Sequence, residues 1–542
     1  MNETGSKSRR YQHWFVLGRT SAYSMYAFVA SILDALISSF ISHRYEAEDM
    51  KIKVHRHSRA SLVAAFGLAV LALNGCMVGP DYVRPQAAAP AEWAGVAERA
   101  KGQPSVATPG ESELTQWWKQ FNDPIMTALV EEAEQENLDL KTAEVVLRQA
   151  RASRGVVVGG LWPSVTASGG YLYTRPAGGS HDQDLFQAGL DAVWEMDLFG
   201  GRRRDLESAD AGILAAMEGI RDARVSLVAE VALNYVQLRG YQQEILIARK
   251  NLISQQKTAE ITRKQFNGGF ASGLDVANAD STVATTEAQI PVFEIEERQA
   301  IYALSVLLAR TPADLLQRLS PRSTIPRVPT EVPAGLPSDL LRRRPDIRQS
   351  EAQLHAATAQ IGVATADFFP QFSLTGTVNW NSNLLRTWWN TGSRSFGVGP
   401  SVSWPIFQGG AIAANVRLQE ALRDQAFLAY RKTVLAAFQD VENALIAFAK
   451  EQQHRQKLND AVVANRKAVD LSLQLYTEGQ TDFLNVATAQ RLLYASEDAL
   501  VQSNSTVATD LVALYKALGG GGEPLSSCAG TSRDARLPGG VH

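Results

Sequence analysis

The 542-residue chain has only two cysteines, Cys76 and Cys528, and eight histidines. Two cysteines cannot build a disulfide framework. The histidines beyond Cys76 (His181, His355, His454 and His542) are scattered. No His-Glu-x-x-His, Cys-x-x-Cys, Gly-x-Ser-x-Gly or P-loop pattern occurs, so the sequence offers no catalytic, metal or cofactor-binding residue and an enzyme is not expected. A formal net charge of −3 leaves no basic footprint for nucleic acid and no acidic bias toward a cationic partner. Proline is missing from Arg202 to Phe266, and both proline and glycine are missing from Ala411 to Tyr476. Neither stretch contains a residue that must end a helix.

Each of those runs is long enough for a helix of about 100 Å at 1.5 Å per residue, far beyond an ordinary globular helix. In the second, Val434, Phe438, Val441, Leu445 and Phe448 recur at alternating steps of four and three. In the first, Val228, Val231, Tyr235 and Leu238 do the same. This is the spacing of a helix-packing seam. A glycine-containing turn and a shorter helical run follow each, Val276 to Arg310 and Val486 to Leu518, which predicts two helical hairpins side by side. A further helix is predicted before each strand region, over Asp123 to Gly155 and Ser338 to Gly362.

The chain repeats itself. "GLWPSVTASGGYLYT" around Pro163 matches "DFFPQFSLTGTVNW" around Pro370, and "QFNGGFASGLDVANA" matches "LYTEGQTDFLNVATA" with Gly269 opposite Gly479. Landmarks that keep order and spacing mark two copies of one unit. The expected organisation is a segment 76–122, repeat one over 123–310, a proline-rich linker 311–337, repeat two over 338–518 and a glycine-rich polar tail 519–542.

Before Cys76 the order of residues is informative. Lys51, Lys53, Arg56 and Arg59 precede the apolar stretch Ser61 to Leu73, and Leu73-Asn74-Gly75-Cys76 closes it. Charge, a short apolar run and small residues make a signal peptide over 50–75, and the close resembles a bacterial lipobox with Cys76 as the acylated first residue of the mature chain. Met50 stands directly before this signal, so residues 1–49 read as an upstream over-extension; a real N-terminal transmembrane helix over "SAYSMYAFVASILDALISSFISH", which Asp34 interrupts, is the alternative.

Trp162 to Thr174, Leu185 to Phe199, Phe369 to Trp380 and Ser395 to Phe407 mix aromatic, β-branched and small polar residues in partial alternation, as transmembrane β-strands do. Asn379, Trp380, Trp388 and Trp389 suit an interfacial aromatic position. Four strands cannot close a barrel, and open edges are not tolerated in lipid. Several chains must therefore pool their strands, and three chains would supply twelve.

These residues resemble the TolC-like outer-membrane efflux channels, in particular the NodT-type lipoproteins that serve resistance-nodulation-division (RND) pumps. "CMVGPDYVRP", "WWKQFNDPIMTALVEEAEQENLDLKTA" and "LLRRRPDIRQSEAQLHAATAQIG" carry the likeness, which runs from Cys76 to Leu518. The resemblance implies a mainly α chain with a transmembrane β part and an internal two-fold repeat. Three such chains would form a homotrimeric 12-stranded β-barrel continued by a long periplasmic α-helical barrel. Its function would be passive export through the outer membrane, lipid-anchored, with a periplasmic adaptor (membrane fusion) protein and an inner-membrane RND pump as partners. It places Gly268, Gly269, Leu274, Val276, Gly479, Leu484 and Val486 at periplasmic tips that meet the adaptor, the apolar ones lying too near a tight turn to add much core. It places Asp275, Asn278, Tyr476, Asn485 and Thr488 at the aperture. A soluble coiled-coil scaffold is the competing reading, but it leaves the lipobox and four barrel-like strands unexplained.

Overall fold

The computed structural model describes residues 77–86, 89–94, 106–108, 114–175, 182–329, 331–333 and 337–522. Cys76, the signal segment, residues 1–49 and Cys528 lie outside the described residues. The chain divides into two units, 1–74 and 75–542, and everything below concerns the second.

A short strand β1 (Val106–Thr108) leads through a 3-10 turn, Leu114–Phe121, to helices α1 (Pro124–Glu136) and α2 (Leu138–Gly159). Strands β2 (Ser164–Thr174) and β3 (Gln183–Met196) form a hairpin. Then come the long helix α3 (Gly201–Asn267) and its return α4 (Gly273–Leu307). The linker holds a turn of helix α5 (Leu316–Leu319) and β4 (Glu331–Pro333), which pairs in parallel with β1. Repeat two gives α6 (Pro337–Arg343), α7 (Pro345–Ala366), the hairpin β5 (Gln371–Ser382) and β6 (Arg394–Ser403), then α8 (Ala411–Thr477) and α9 (Phe483–Ala517).

The repeat is close in its helices. Helices α3 and α8 each have 67 residues, α4 and α9 each 35. Both pairs start 210 positions apart, since 411 − 201 and 483 − 273 are both 210. Each long helix begins after a glycine held at positive φ, Gly200 and Gly410, where a side chain would be strained.

The helix expected over Asp123 to Gly155 is two helices, because Asn137 takes an extended backbone and its Oδ1 accepts from Leu140 N at 2.9 Å to start α2 afresh. The helix expected over Ser338 to Gly362 is also two. Pro345 opens α7 and drives Arg344 to an extended conformation, as the ring of proline does to the residue before it. The strands end near the expected positions but shift inward at the helix side, so Trp162, Phe199, Phe369 and Phe407 stand outside them.

The seam residues Val228, Val231, Tyr235, Leu238, Val434, Val441, Leu445 and Phe448 are buried in one core. That core also takes in Trp117, Trp118, Phe121 and the end of α9, where Tyr515 stacks on Trp117 at 5.0 Å. Leu315, Leu319 and Val332 of the linker share this core with the middle stretches of α3 and α8. Among the described residues, no helix is long and apolar enough to cross a membrane.

Candidate functional site

The four long strands form one antiparallel sheet in the order β2-β3-β5-β6. Successive side chains in a strand point to opposite faces, so the register sorts the whole sheet. One face carries Val165, Ala167 and Tyr171 from β2, opposite Ala192, Leu190 and Phe186 from β3. The same face continues through Gly376, Val378 and Leu374 of β5 to Val398, Phe396 and Pro400 of β6. The other face carries Thr166 and Ser168, then Asp191 and Glu195, then Ser373, Thr375, Thr377 and Asn379, then Ser395 and Ser401. Toward the strand ends the division lapses, with Asp184 and Arg394 on the first face and Leu172, Leu185 and Val193 on the second, but over the middle an apolar face opposite a serine, threonine and amide face is the pattern of a strand set between lipid and water. Large apolar side chains such as Phe396, Val398 and Val402 stand exposed among the described residues.

Aromatic residues mark both ends of the sheet. At the helix end, Trp194 Nε1 donates to Leu161 O and Trp404 Nε1 to Phe368 O, each at 3.0 Å. At the hairpin end, Trp388 Nε1 donates to Trp380 O at 3.2 Å, and Trp389 packs on both rings. Indoles with a polar atom tied to backbone suit the two membrane–water boundaries. Asn379, grouped with these tryptophans from the sequence, lies on the polar face instead, because it pairs with Gly189 and Ser395 in that register.

Residues 77–86 run as a strap along the sheet's helix end. Val78 N donates to Phe199 O at 3.1 Å. Arg204, only 2% exposed, donates to Val78 O, Gly79 O and Asp81 on the strap and to Glu207 on its own helix. Farther along, Tyr82 stacks on His355 at 4.3 Å and Arg84 pairs with Glu351 at 2.7 Å.

The two turns between paired helices lie at the far ends of α3 and α8. Both close in the same way. Gly269 N bonds Phe266 O and Phe270 N bonds Gln265 O, while Gly479 N bonds Tyr476 O and Gln480 N bonds Leu475 O. This is the Schellman arrangement, whose penultimate residue must be left-handed. Gly269 has φ +81 and Gly479 φ +70. Gly268 does not share that role. It caps α3 with φ −83, and its counterpart 210 positions on, Glu478, takes φ −82 with a side chain.

Around the turns the expected residues separate. Val486 is fully buried and Tyr476 nearly so, in a small core with Ala259, Ala279 and Phe483. Val486 therefore contributes to packing, contrary to the expectation that these apolar residues add little core, because the facing α3 and α4 surfaces supply small alanines that admit it. Burial pushes the Tyr476 hydroxyl up, with the charge of Asp275 adding to it. Val276 is half-buried, whereas Leu274 and Leu484 are 69% and 62% exposed. Phe270, not singled out from the sequence, is 87% exposed beside them. An aromatic directly after the left-handed glycine was its signal, since that position ordinarily folds back on the helix.

Asp275 is committed locally. Its Oδ2 accepts from Ser272 N at 2.9 Å and Ser272 Oγ at 2.8 Å, while Ser272 Oγ accepts from Asp275 N at 3.2 Å. That reciprocal capping box starts α4. In repeat two, Asn485 Nδ2 instead donates to Thr481 Oγ1 at 2.7 Å, and Asp482 makes no side-chain cap. Asn278 is exposed and Thr488 half-buried. A Cβ at Gly269 or Gly479 would meet nothing within 4 Å, so only the backbone resists substitution there. Gly269→Val and Gly479→Val should each cost about 1–2 kcal/mol locally, and Gly268→Ala much less. Hydrogen exchange at the two turns, faster in the valine variants and near unchanged in Gly268→Ala, checks this.

The family model described as outer membrane efflux protein matches residues 129–310 and 336–520. Nodulation protein T of Rhizobium leguminosarum bv. trifolii is 29% identical over 460 residues, covering 84% of this chain and 97% of that protein. The solvent efflux pump outer membrane protein SrpC of Pseudomonas putida is 34% identical, with 84% and 97% covered. Among solved structures, the outer-membrane channel OprN superposes with a TM-score of 0.76 at 37% identity, covering 83% of this chain and 100% of that one. With a two-faced sheet, two repeats of one unit and a match over more than half its length, the chain belongs to the outer membrane efflux protein family.

Proposed function

We propose that this chain is the outer-membrane exit duct of a tripartite RND-type efflux system, a lipid-anchored homotrimer that passively conducts small molecules from a pump and adaptor to the outside. The sheet carries this reading. Among the described residues it has an uncovered apolar face, a polar face and two unpaired edges, β2 and β6. Unpaired backbone at those edges is not tolerated in lipid. Because the strands alternate in direction, β6 of one copy runs antiparallel to β2 of the next. Three chains then close a twelve-stranded barrel with the polar face inward. The hairpin end would face outside, and α3, α4, α8 and α9 would continue into the periplasm as a helical barrel.

The adaptor would meet the tips through Phe270, Leu274 and Leu484, exposed apolar groups at the end farthest from the sheet. Asp275, Asn278, Asn485 and Thr488 would lie around the aperture there. The anchor reading for Cys76 is supported by its neighbours. Met77 lies against Gly200 and Val78 is bonded to Phe199, at the rim where the sheet gives way to helix. Acyl chains on the preceding residue would enter the inner leaflet of the outer membrane at that depth.

The protein extracted in detergent should run as a trimer that dissociates on heating, and should form ion-conducting channels in planar bilayers. Its mass should begin at an acylated Cys76, and Cys76→Ser should lose the acyl mass while remaining trimeric. A stable monomer that still conducts would contradict the edge argument. An unmodified Cys76 in the membrane fraction would remove the anchor alone.

A further inference from the structure

We infer that Asp191 sets the charge preference of the duct from within the β-barrel, favouring cationic over anionic cargo; this rests on the trimeric duct proposed above. Asp191 sits inside β3 on the polar face, directly between Thr166 of β2 and Thr377 of β5. Along that face the described residues of the four strands supply only two ionisable groups, Asp191 and Glu195, and no base. Glu195 is neutralised by Arg202, 2.8 Å away at the helix end. Asp191 makes no ion pair among the described residues, and its cross-strand neighbours are the threonines Thr166 and Thr377.

An ionisable side chain at membrane depth is costly unless it faces water. The register puts Asp191 on the water side, while its neighbours Leu190 and Ala192 point to the apolar side. Closure of three chains repeats the carboxylate three times at one level. A ring of like charges in a pore raises the local concentration of cations and lowers that of anions. The tip aspartate, Asp275, is a separate case, since it lies at the far end of the helices, where its carboxylate caps α4.

The test is the zero-current potential of purified trimers in planar bilayers under a potassium chloride gradient. In Asp191→Asn the cation-to-anion permeability ratio should fall about threefold at about 10 mM salt. It should change little at about 1 M, where the Debye length is about 3 Å. Asp191→Glu should keep the wild-type ratio, and Asp191→Lys should shift the preference toward anions. A wild-type ratio in Asp191→Asn at low salt, or an equal loss in Asp191→Glu, overturns the inference. Those variants would still be conducting trimers, so the duct reading would stand. Wild-type protein that neither trimerises nor conducts would instead overturn both.

Discussion

Val398→Arg should abolish the assembled trimer, while Ser401→Arg, three residues on in the same strand, should leave it intact. Both positions are in β6, and they face opposite ways. Val398 pairs with Gly376 on the apolar face and stands exposed, and Ser401 pairs with Ser373 on the polar face. If the apolar face meets lipid, an arginine near the middle of the strand costs about 2–4 kcal/mol per chain. A closed trimer carries that cost three times, on the order of a whole domain's net stability. The guanidinium at 401 would instead reach water. It would break the hydroxyl contact between Ser373 and Ser401, 2.8 Å in length, which costs about 1 kcal/mol. Heat-modifiable trimer on unboiled gels, compared for the two variants, gives the answer. Loss of trimer in both, or in neither, would mean that the faces have no such division.

Much of this architecture was legible because helices advertise themselves by what they omit. The absence of proline across α3 and α8 and the three-four seam located the two longest elements to within a residue. Gly269 and Gly479 marked their ends for a local reason that a sequence can carry. The breaks at Asn137 and Arg344 were harder, since each interrupts an otherwise helical composition. Pro345 was a visible cue to the second. In the middle of β3, from Phe186 to Ala192, the apolar and polar sets alternate, although Leu185 and Val193 fall on the polar face; in β2 the pair Gly169-Gly170 blurs the period. Only the register with β3 assigns its faces. What the sequence hid was long-range contact. Val486 is buried because Ala259 and Ala279, far away in the chain, leave room for it. Likewise nothing beside Arg204 announces that its partners are carbonyls more than a hundred residues earlier.

That buried arginine gives the largest expected effect outside the sheet. Arg204→Ala should release the strap from the body of the protein. The guanidinium satisfies the carbonyls of Val78 and Gly79, pairs with Asp81 at 2.6 Å, and pairs with Glu207 at 2.8 Å. The backbones are close as well: a Cβ at Gly362 would fall 2.7 Å from Arg204 Cγ, and one at Gly79 would fall 2.4 Å from Gly362 Cα. Because Asp81 is 87% exposed and Glu207 partly so, no buried charge is stranded, and losing the hydrogen bonds to the guanidinium costs about 1.5–3 kcal/mol, to which the emptied side-chain volume adds a packing loss. Arg84→Ala offers the contrast. Its ion pair with Glu351 is mostly solvent-exposed on the arginine side, and such pairs contribute about 0–1 kcal/mol. Chymotrypsin digestion of native trimers at graded protease concentration should cut rapidly within the strap of Arg204→Ala, after Tyr82. Arg204→Lys, which keeps charge but not the forked donors, should be intermediate. Equal resistance of wild type and Arg204→Ala would show that the strap is held by Tyr82, His355 and Glu351 alone.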